Sequence, residues 1–139
     1  LASPLQIALA VAAVANQGRI MKPYVVAQVL DYHKKVLDET EPSVWLQPIS
    51  SRTAGTLKDL MVEVVADGTG TRAALSGVQV AGKTGTAEVA DDEPHAWFAG
   101  FAPAQDPQVV VAVLVENAGT GGSVAAPIAR QVISAALGL

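Results

Sequence analysis

Seven consecutive apolar residues, Val109 to Val115, constrain this chain more than any other stretch. A run this short, dominated by valine and bounded by turn residues, reads as a β-strand covered on both faces. The turn ahead of it, Pro103 to Pro107, is too short for a crossover, so the strand over 108–116 should pair antiparallel with a strand over 96–102. A third strand is expected over 78–88, joined to the second by the acidic loop 90–94. Helices should flank this sheet. Ser3-Pro4 supplies an N-cap and an N1 proline for a first helix, and Asn16-Gln17-Gly18 stops it. Leu5 to Ala15 is apolar on nearly every face, which predicts a buried helix.

Pro48 and Ser50-Ser51 open a second helix that runs to about Ala66. Its apolar stripe comprises Ala54, Leu57, Leu60, Met61, Val64 and Val65. Asp67-Gly68-Thr69-Gly70-Thr71 ends it with two glycines. A closing helix is expected from Ala125 to Leu137, with Pro127 in its first turn and Gly138 after it. Tyr24 to Leu30 and Val36-Leu37, around the polar turn Asp31 to Lys35, should form a peripheral hairpin. The fold class is therefore α+β, an antiparallel sheet flanked by helices.

The chain has 139 residues, enough for one domain or a piece of a larger one. Charged residues make up only 16%, against about a quarter in an average soluble domain. Much of the surface should therefore be covered by protein outside this chain. The net charge is −4, and no Lys/Arg cluster exists beyond Lys34-Lys35, which argues against nucleic-acid binding. With no cysteine, disulfides and thiolate metal sites are excluded. The longest apolar run, Ile7 to Ala15, falls far short of the roughly 18 residues of a membrane span. The chain opens on Leu1 rather than Met, and is expected to be an internal segment that is not stable alone.

The chemistry concentrates in Ala81-Gly82-Lys83-Thr84-Gly85-Thr86-Ala87-Glu88. An ammonium, two hydroxyls and a glycine on an extended edge can hold an anionic ligand against backbone N–H groups. A lone edge-strand lysine is also a common guard against aggregation. The bracketing glycines tip the balance, because glycine inside a strand marks close approach by a ligand or another backbone. In a regular strand Lys83 and Gly85 share a face and Thr84 points to the other. A twist or bulge is then needed for Lys83 and Thr84 to serve one ligand. No serine here has a lysine three residues later or an asparagine two residues later, so the nucleophile should lie elsewhere.

The remaining polar residues read more plainly. His33 and His95 are expected at the surface, and Asp91, Asp92 and Glu93 as solvated acids rather than a metal site. Trp97 and Phe98 alternate sides, one toward the core and one toward a helix or groove. Gly119 to Gly122 should be a flexible loop, without the Gly-Lys of a phosphate-binding loop.

The Lys-Thr-Gly-Thr run resembles the third of three motifs, Ser-x-x-Lys, Ser-x-Asn and Lys-Thr-Gly, carried by penicillin-binding proteins and serine β-lactamases. The likeness spans nearly the whole chain. Ser3-Pro4-Leu5-Gln6 with Asn16-Gln17-Gly18 and Lys22-Pro23 resembles the helix after the second motif. Asp67 to Thr71 resembles the Gly-Thr turn before the third. His95 to Pro103 resembles the following strand, and Glu116-Asn117, Gly121-Gly122 and Ala125-Ala126-Pro127 the closing segment. The chain looks like the C-terminal half of a penicillin-binding protein transpeptidase domain. Its Ala/Val-rich texture looks most like a monofunctional class B enzyme of actinobacterial type.

The resemblance implies that residues 1–139 are the C-terminal portion of a single transpeptidase domain whose nucleophile-bearing portion is not in this chain. It implies a peptidoglycan D,D-transpeptidase that crosslinks stem peptides through a serine acyl-enzyme. Lys83, Thr84, Gly85 and Thr86 would bind substrate, Lys83 by its charge and Thr86 through a backbone oxyanion-hole N–H. No metal or organic cofactor is implied. The implied partners are stem peptides ending in D-Ala-D-Ala, β-lactams, the N-terminal remainder of the same protein, and cell-wall polymerase or division proteins. The implied place is the extracytoplasmic face of a bacterial membrane, with an upstream anchor. A D,D-carboxypeptidase, a serine β-lactamase, or a non-catalytic β-lactam sensor or scaffold are the alternatives.

Overall fold

The first helix is set by its cap. In the computed structural model, which describes residues 2–139, the Gln6 N–H donates to Ser3 Oγ (3.3 Å) and the Ser3 N–H donates to Gln6 Oε1 (2.8 Å). This reciprocal capping box opens α1 (Pro4–Ala15). The helix stops at Gln17 and Gly18, both at positive φ, and the Gly18 N–H donates to the Ala13 carbonyl (2.7 Å). A Cβ at Gly18 would collide with the Ile49 carbonyl, so only glycine fits there.

Four short strands follow: β1 (Ile20–Met21), β2 (Gln28–Leu30), β3 (Val36–Glu39) and β4 (Val44–Leu46). β2 and β3 form the expected hairpin, shorter in its first arm, around a turn in which Asp31 Oδ1 accepts from the His33 and Lys35 N–H groups. β1 pairs with β4, a ladder the sequence did not announce. Then come α2 (Ser51–Ala66), capped by Ser50, and a 3-10 turn at Thr71–Ala73. β5 (Ala81–Ala87), β6 (His95–Ala102) and β7 (Val109–Val115) build one antiparallel sheet in the order β5-β6-β7. A π-helical turn, Gly121–Ala125, leads into α3 (Ala126–Leu137), which ends at Gly138 with φ +72°.

The sheet has helices on both faces. On one, Ala81 and Phe101 pack with Val11 and Val14 of α1 and Met61 and Val62 of α2. On the other, Phe98, Ala102 and Val111 pack with Ala129 and Ile133 of α3. Phe98, Phe101 and Ile133 are the largest fully buried side chains. The sequence placed Trp97 and Phe98 on opposite faces, and so they are: Phe98 enters the core, while the half-buried Trp97 looks into a groove beside α1.

Four expectations need correction. α1 is not buried all round; only Ala13 is buried and Leu5 is 59% exposed. Within this chain the helix lies on the sheet by one side, and its other apolar faces are uncovered. The covered side of α2 runs through Ala54, Met61, Val62 and Val65, leaving Leu57 and Leu60 exposed. The first sheet strand is shorter than 78–88, because Val78 closes a bridge with Leu75 before β5 begins. Finally, the glycine segment near 121 is no loose loop. It winds into the π-helical turn, and a Cβ at Gly121 would strike the Trp97 and Gly85 carbonyls, so the turn lies directly on the sheet.

Candidate functional site: the open edge of strand β5

β5 pairs with β6 in unbroken register from Ala81↔Phe101 to Ala87↔His95. Among the described residues its other edge has no strand partner. Ala81 and Gly82 are buried, whereas Lys83, Thr86 and Ala87 are exposed, so the strand runs from the core into the open. Gly82 serves packing rather than a ligand, because the Phe98 ring occupies the space its Cβ would fill and also crowds Gly100 across the ladder. Of the two glycines that the sequence read as marks of close approach, Gly85 keeps that role. The π-helical turn presses on its backbone at Gly121.

The phase of the ladder decides what the open edge offers. Alternate residues of an antiparallel strand turn both backbone groups toward the partner, and those between turn theirs away. Gly85 lies opposite Trp97, and both the Gly85 nitrogen and the Trp97 carbonyl crowd the same point beside Gly121, so these groups face one another. Thr84 and Thr86 therefore turn their N–H and C=O groups outward.

The side chains divide between faces, as alternation requires. Lys83 and Gly85 border an apolar groove with Ile7, Val11 and Trp97. Thr84 and Thr86 border a recess rich in hydroxyls, completed by Thr69, Thr120 and Ser123. No bulge reconciles the two faces, since the register is regular. The flexible lysine stem does so instead: Lys83 Nζ reaches round the strand and donates to the Thr84 carbonyl (2.7 Å). The expected need for a twist or bulge is thus replaced by side-chain reach. The ammonium, the Thr84 hydroxyl and the outward backbone groups of Thr84 and Thr86 meet at one edge.

The recess contains residues that sequence reasoning passed over. Thr69 Oγ1 and Thr84 Oγ1 share a hydrogen bond of 2.6 Å. Arg72 Nη1 donates to the Ser123 carbonyl (3.2 Å), tying the 3-10 turn to the π-helical turn. The Asp67–Thr71 turn and Gly121-Gly122 stood out in the sequence by resemblance, but Thr69, Arg72 and Ser123 were given no role there. His95 is not a free surface residue either. It opens β6, and its Nδ1 accepts from the Asn117 N–H (3.1 Å). Asn117 Nδ2 in turn donates to Asp92 Oδ2 (2.7 Å), so that Asn117 joins the acidic loop to the strand. Among the described residues no group of three His, Asp or Glu side chains could hold a metal ion. His33 is exposed in the β2–β3 turn, where its ring lies 3.6 Å from that of Tyr32, centroid to centroid.

The model of the penicillin-binding protein transpeptidase domain matches residues 1–134. The peptidoglycan D,D-transpeptidase PbpA of Mycolicibacterium smegmatis is 46% identical over 144 residues, covering 97% of this chain and 29% of that protein. A penicillin G acyl-enzyme complex of penicillin-binding protein A from M. tuberculosis superposes with a TM-score of 0.88 at 41% identity. That match covers 98% of this chain and 32% of the other. The D,D-transpeptidase domain of a peptidoglycan glycosyltransferase from Eggerthella lenta gives a TM-score of 0.89 at 40% identity, over 96% and 32% of the two chains. The chain thus spans about a third of the length of the relatives it matches.

Proposed function

The chain belongs to the penicillin-binding protein transpeptidase family, and from that premise we propose that it is the C-terminal portion of one transpeptidase domain and supplies the Lys-Thr-Gly wall of a peptidoglycan D,D-transpeptidase cleft. The observation that carries this reading is the open edge of β5, where the outward backbone groups of Thr84 and Thr86 lie beside the Lys83 ammonium.

An acyl-D-Ala-D-Ala peptide is extended and ends in a carboxylate. Its backbone can add to the open edge as a further strand. Gly85 carries no side chain to obstruct it. Lys83 and the Thr84 hydroxyl hold the terminal carboxylate by charge-assisted hydrogen bonds. A serine outside this chain attacks the carbonyl between the two D-Ala residues. The negative charge that develops on the carbonyl oxygen is met by the outward N–H of Thr86. Collapse of the tetrahedral intermediate breaks the peptide bond, releases D-Ala and leaves an acyl-serine. The amine of a second stem peptide then attacks that ester, forms the crosslink and frees the serine. A β-lactam, whose strained amide and carboxylate copy the same pattern, acylates the serine and stays.

The site of action would be the outer face of the cell membrane, with the anchor upstream; among the described residues no helix is long and apolar enough to cross a membrane. The partners on this reading are the N-terminal remainder of the protein, stem peptides and, beyond them, cell-wall polymerase or division proteins.

The test is a denaturing mass spectrum of the full-length protein that carries this chain, before and after penicillin. A persistent penicillin-sized gain supports the transpeptidase reading. A gain that decays within a catalytic cycle would point to a β-lactamase, and no gain would overturn acylation chemistry altogether.

A further inference from the structure

We propose that Thr69 is a positioning residue for Thr84. Its hydroxyl proton is donated to Thr84 Oγ1, which leaves the Thr84 proton free for a carboxylate. The inference rests on the proposed function, in which an anionic ligand sits at Thr84.

The argument is one of counting protons. A threonine hydroxyl has one proton and two acceptor positions. Thr69 Oγ1 and Thr84 Oγ1 stand 2.6 Å apart, close enough that a proton must lie between them, and either oxygen can supply it. If Thr84 donates to Thr69, it shows an arriving carboxylate only lone pairs. If Thr69 donates to Thr84, the Thr84 proton is free to point at the anion. A carboxylate therefore selects the second arrangement. The first bond then also polarises the second, because linked hydrogen bonds reinforce one another.

Thr69 is held in place for this task. The Gly70 N–H donates to the Val64 carbonyl (2.9 Å), folding the chain back over the end of α2. A Cβ at Gly68 would come within 2.9 Å of the Val64 Cα, and one at Gly122 within 2.5 Å of the Thr69 carbonyl oxygen. The turn is thus clasped between the helix end and the π-helical turn. The Arg72–Ser123 bond closes the clasp from the side. Glycines at 68, 70 and 122 let three backbones approach so closely that the Thr69 hydroxyl has a fixed place beside Thr84.

The experiment compares acylation of the full-length protein by penicillin G and by its methyl ester, which lacks the carboxylate charge. Thr69→Val keeps the shape and removes the hydroxyl; Thr69→Ser keeps the hydroxyl. Thr69→Val should slow acylation by the free acid only about two- to fivefold, because the Thr84–carboxylate bond survives and what is lost is its orientation and polarisation by Thr69. It should change acylation by the ester little, and Thr69→Ser should restore the free-acid rate. In saturation kinetics the loss should fall on the binding constant and not on the limiting acylation rate. Equal slowing with both compounds, or slowing with neither, would overturn the inference while leaving the proposed function standing. Failure of the unsubstituted protein to acylate at all would overturn both.

Discussion

The two outer strands of the central sheet, β5 and β7, have the same length, seven residues, and the same antiparallel partner, β6, yet almost nothing else in common. β7 is Val-Val-Val-Ala-Val-Leu-Val, with α1 on one face and α3 on the other. β5 is Ala-Gly-Lys-Thr-Gly-Thr-Ala, and after its first two residues its cover thins, with Thr84 and Gly85 half-buried and Lys83, Thr86 and Ala87 exposed. A strand with a helix on each face can be built from side chains that want only burial. An edge that must admit another chain needs thin residues, a lysine that deters random pairing, and polar groups set at the outward phase of the ladder. On the proposed function one sheet has a structural border and a chemical one, and damage to the two should be separable.

The largest effect is expected on the structural side. Val111 is 7% exposed, at the centre of β7 in the cluster with Phe98 and Ile133. Val111→Asp would bury a charge with no partner and should cost about 3–5 kcal/mol, read from denaturant melts. The same aspartate at Thr86, on the exposed stretch of β5, should shift stability by less than about 0.5 kcal/mol. Equal losses at the two sites would erase the distinction between the borders.

On the chemical side the sharpest probe is Thr86→Pro. Proline removes a backbone N–H, which a sheet tolerates only where that N–H faces away from the ladder. The melt should therefore move by no more than about 1 kcal/mol, while penicillin acylation of the full-length protein falls roughly 10²–10³-fold, the usual loss of one oxyanion donor. An unfolded variant would mean that Thr86 faces β6 and that the phase assigned to β5 is wrong. Lys83→Ala should come next, with acylation slowed about 10–100-fold as the charge on the carboxylate is lost. An unchanged rate would leave Lys83 as no more than a guard on an open edge.

The same contrast governs what could be read from the sequence. β7, β6 and the three helices announced themselves, because apolar runs, serine caps, the N1 proline and the terminal glycines are local signals. The motif on β5 was equally plain as a set of residue types. What stayed hidden was whatever depended on meetings across the chain. The β1–β4 ladder joins strands of two and three residues, too short for a pattern of their own. The bare side of α1 was invisible because a helix apolar all round has no stripe to orient it. Leu57 and Leu60 fitted the helical period and yet lie outside the packed face of α2. At the site, Lys83 reaching the Thr84 carbonyl and Thr69 meeting Thr84 fifteen residues away are facts of tertiary geometry. Gly82 misled in an instructive way: glycine in a strand marks close approach, but here the approaching body is the Phe98 ring.

The smallest predicted effect tests whether the structural border can be weakened without touching the chemistry. Ser3 caps α1, and α1 packs on the sheet through Val11 and Val14 against Ala81, Phe101 and Val110, while Ile7 and Val11 also border the groove beside Lys83. Ser3→Ala removes the hydroxyl that accepts the Gln6 N–H and should lower stability by about 1 kcal/mol. Ser3 itself lines neither the recess around Thr84 nor the groove beside Lys83, and its hydrogen bonds go to Gln6. The acylation rate of the folded protein, measured well below the melt, should therefore stay that of the parent. A parallel fall in both quantities would mean that α1 transmits strain through the sheet to β5. The two borders would then be one mechanical unit rather than a support and a site.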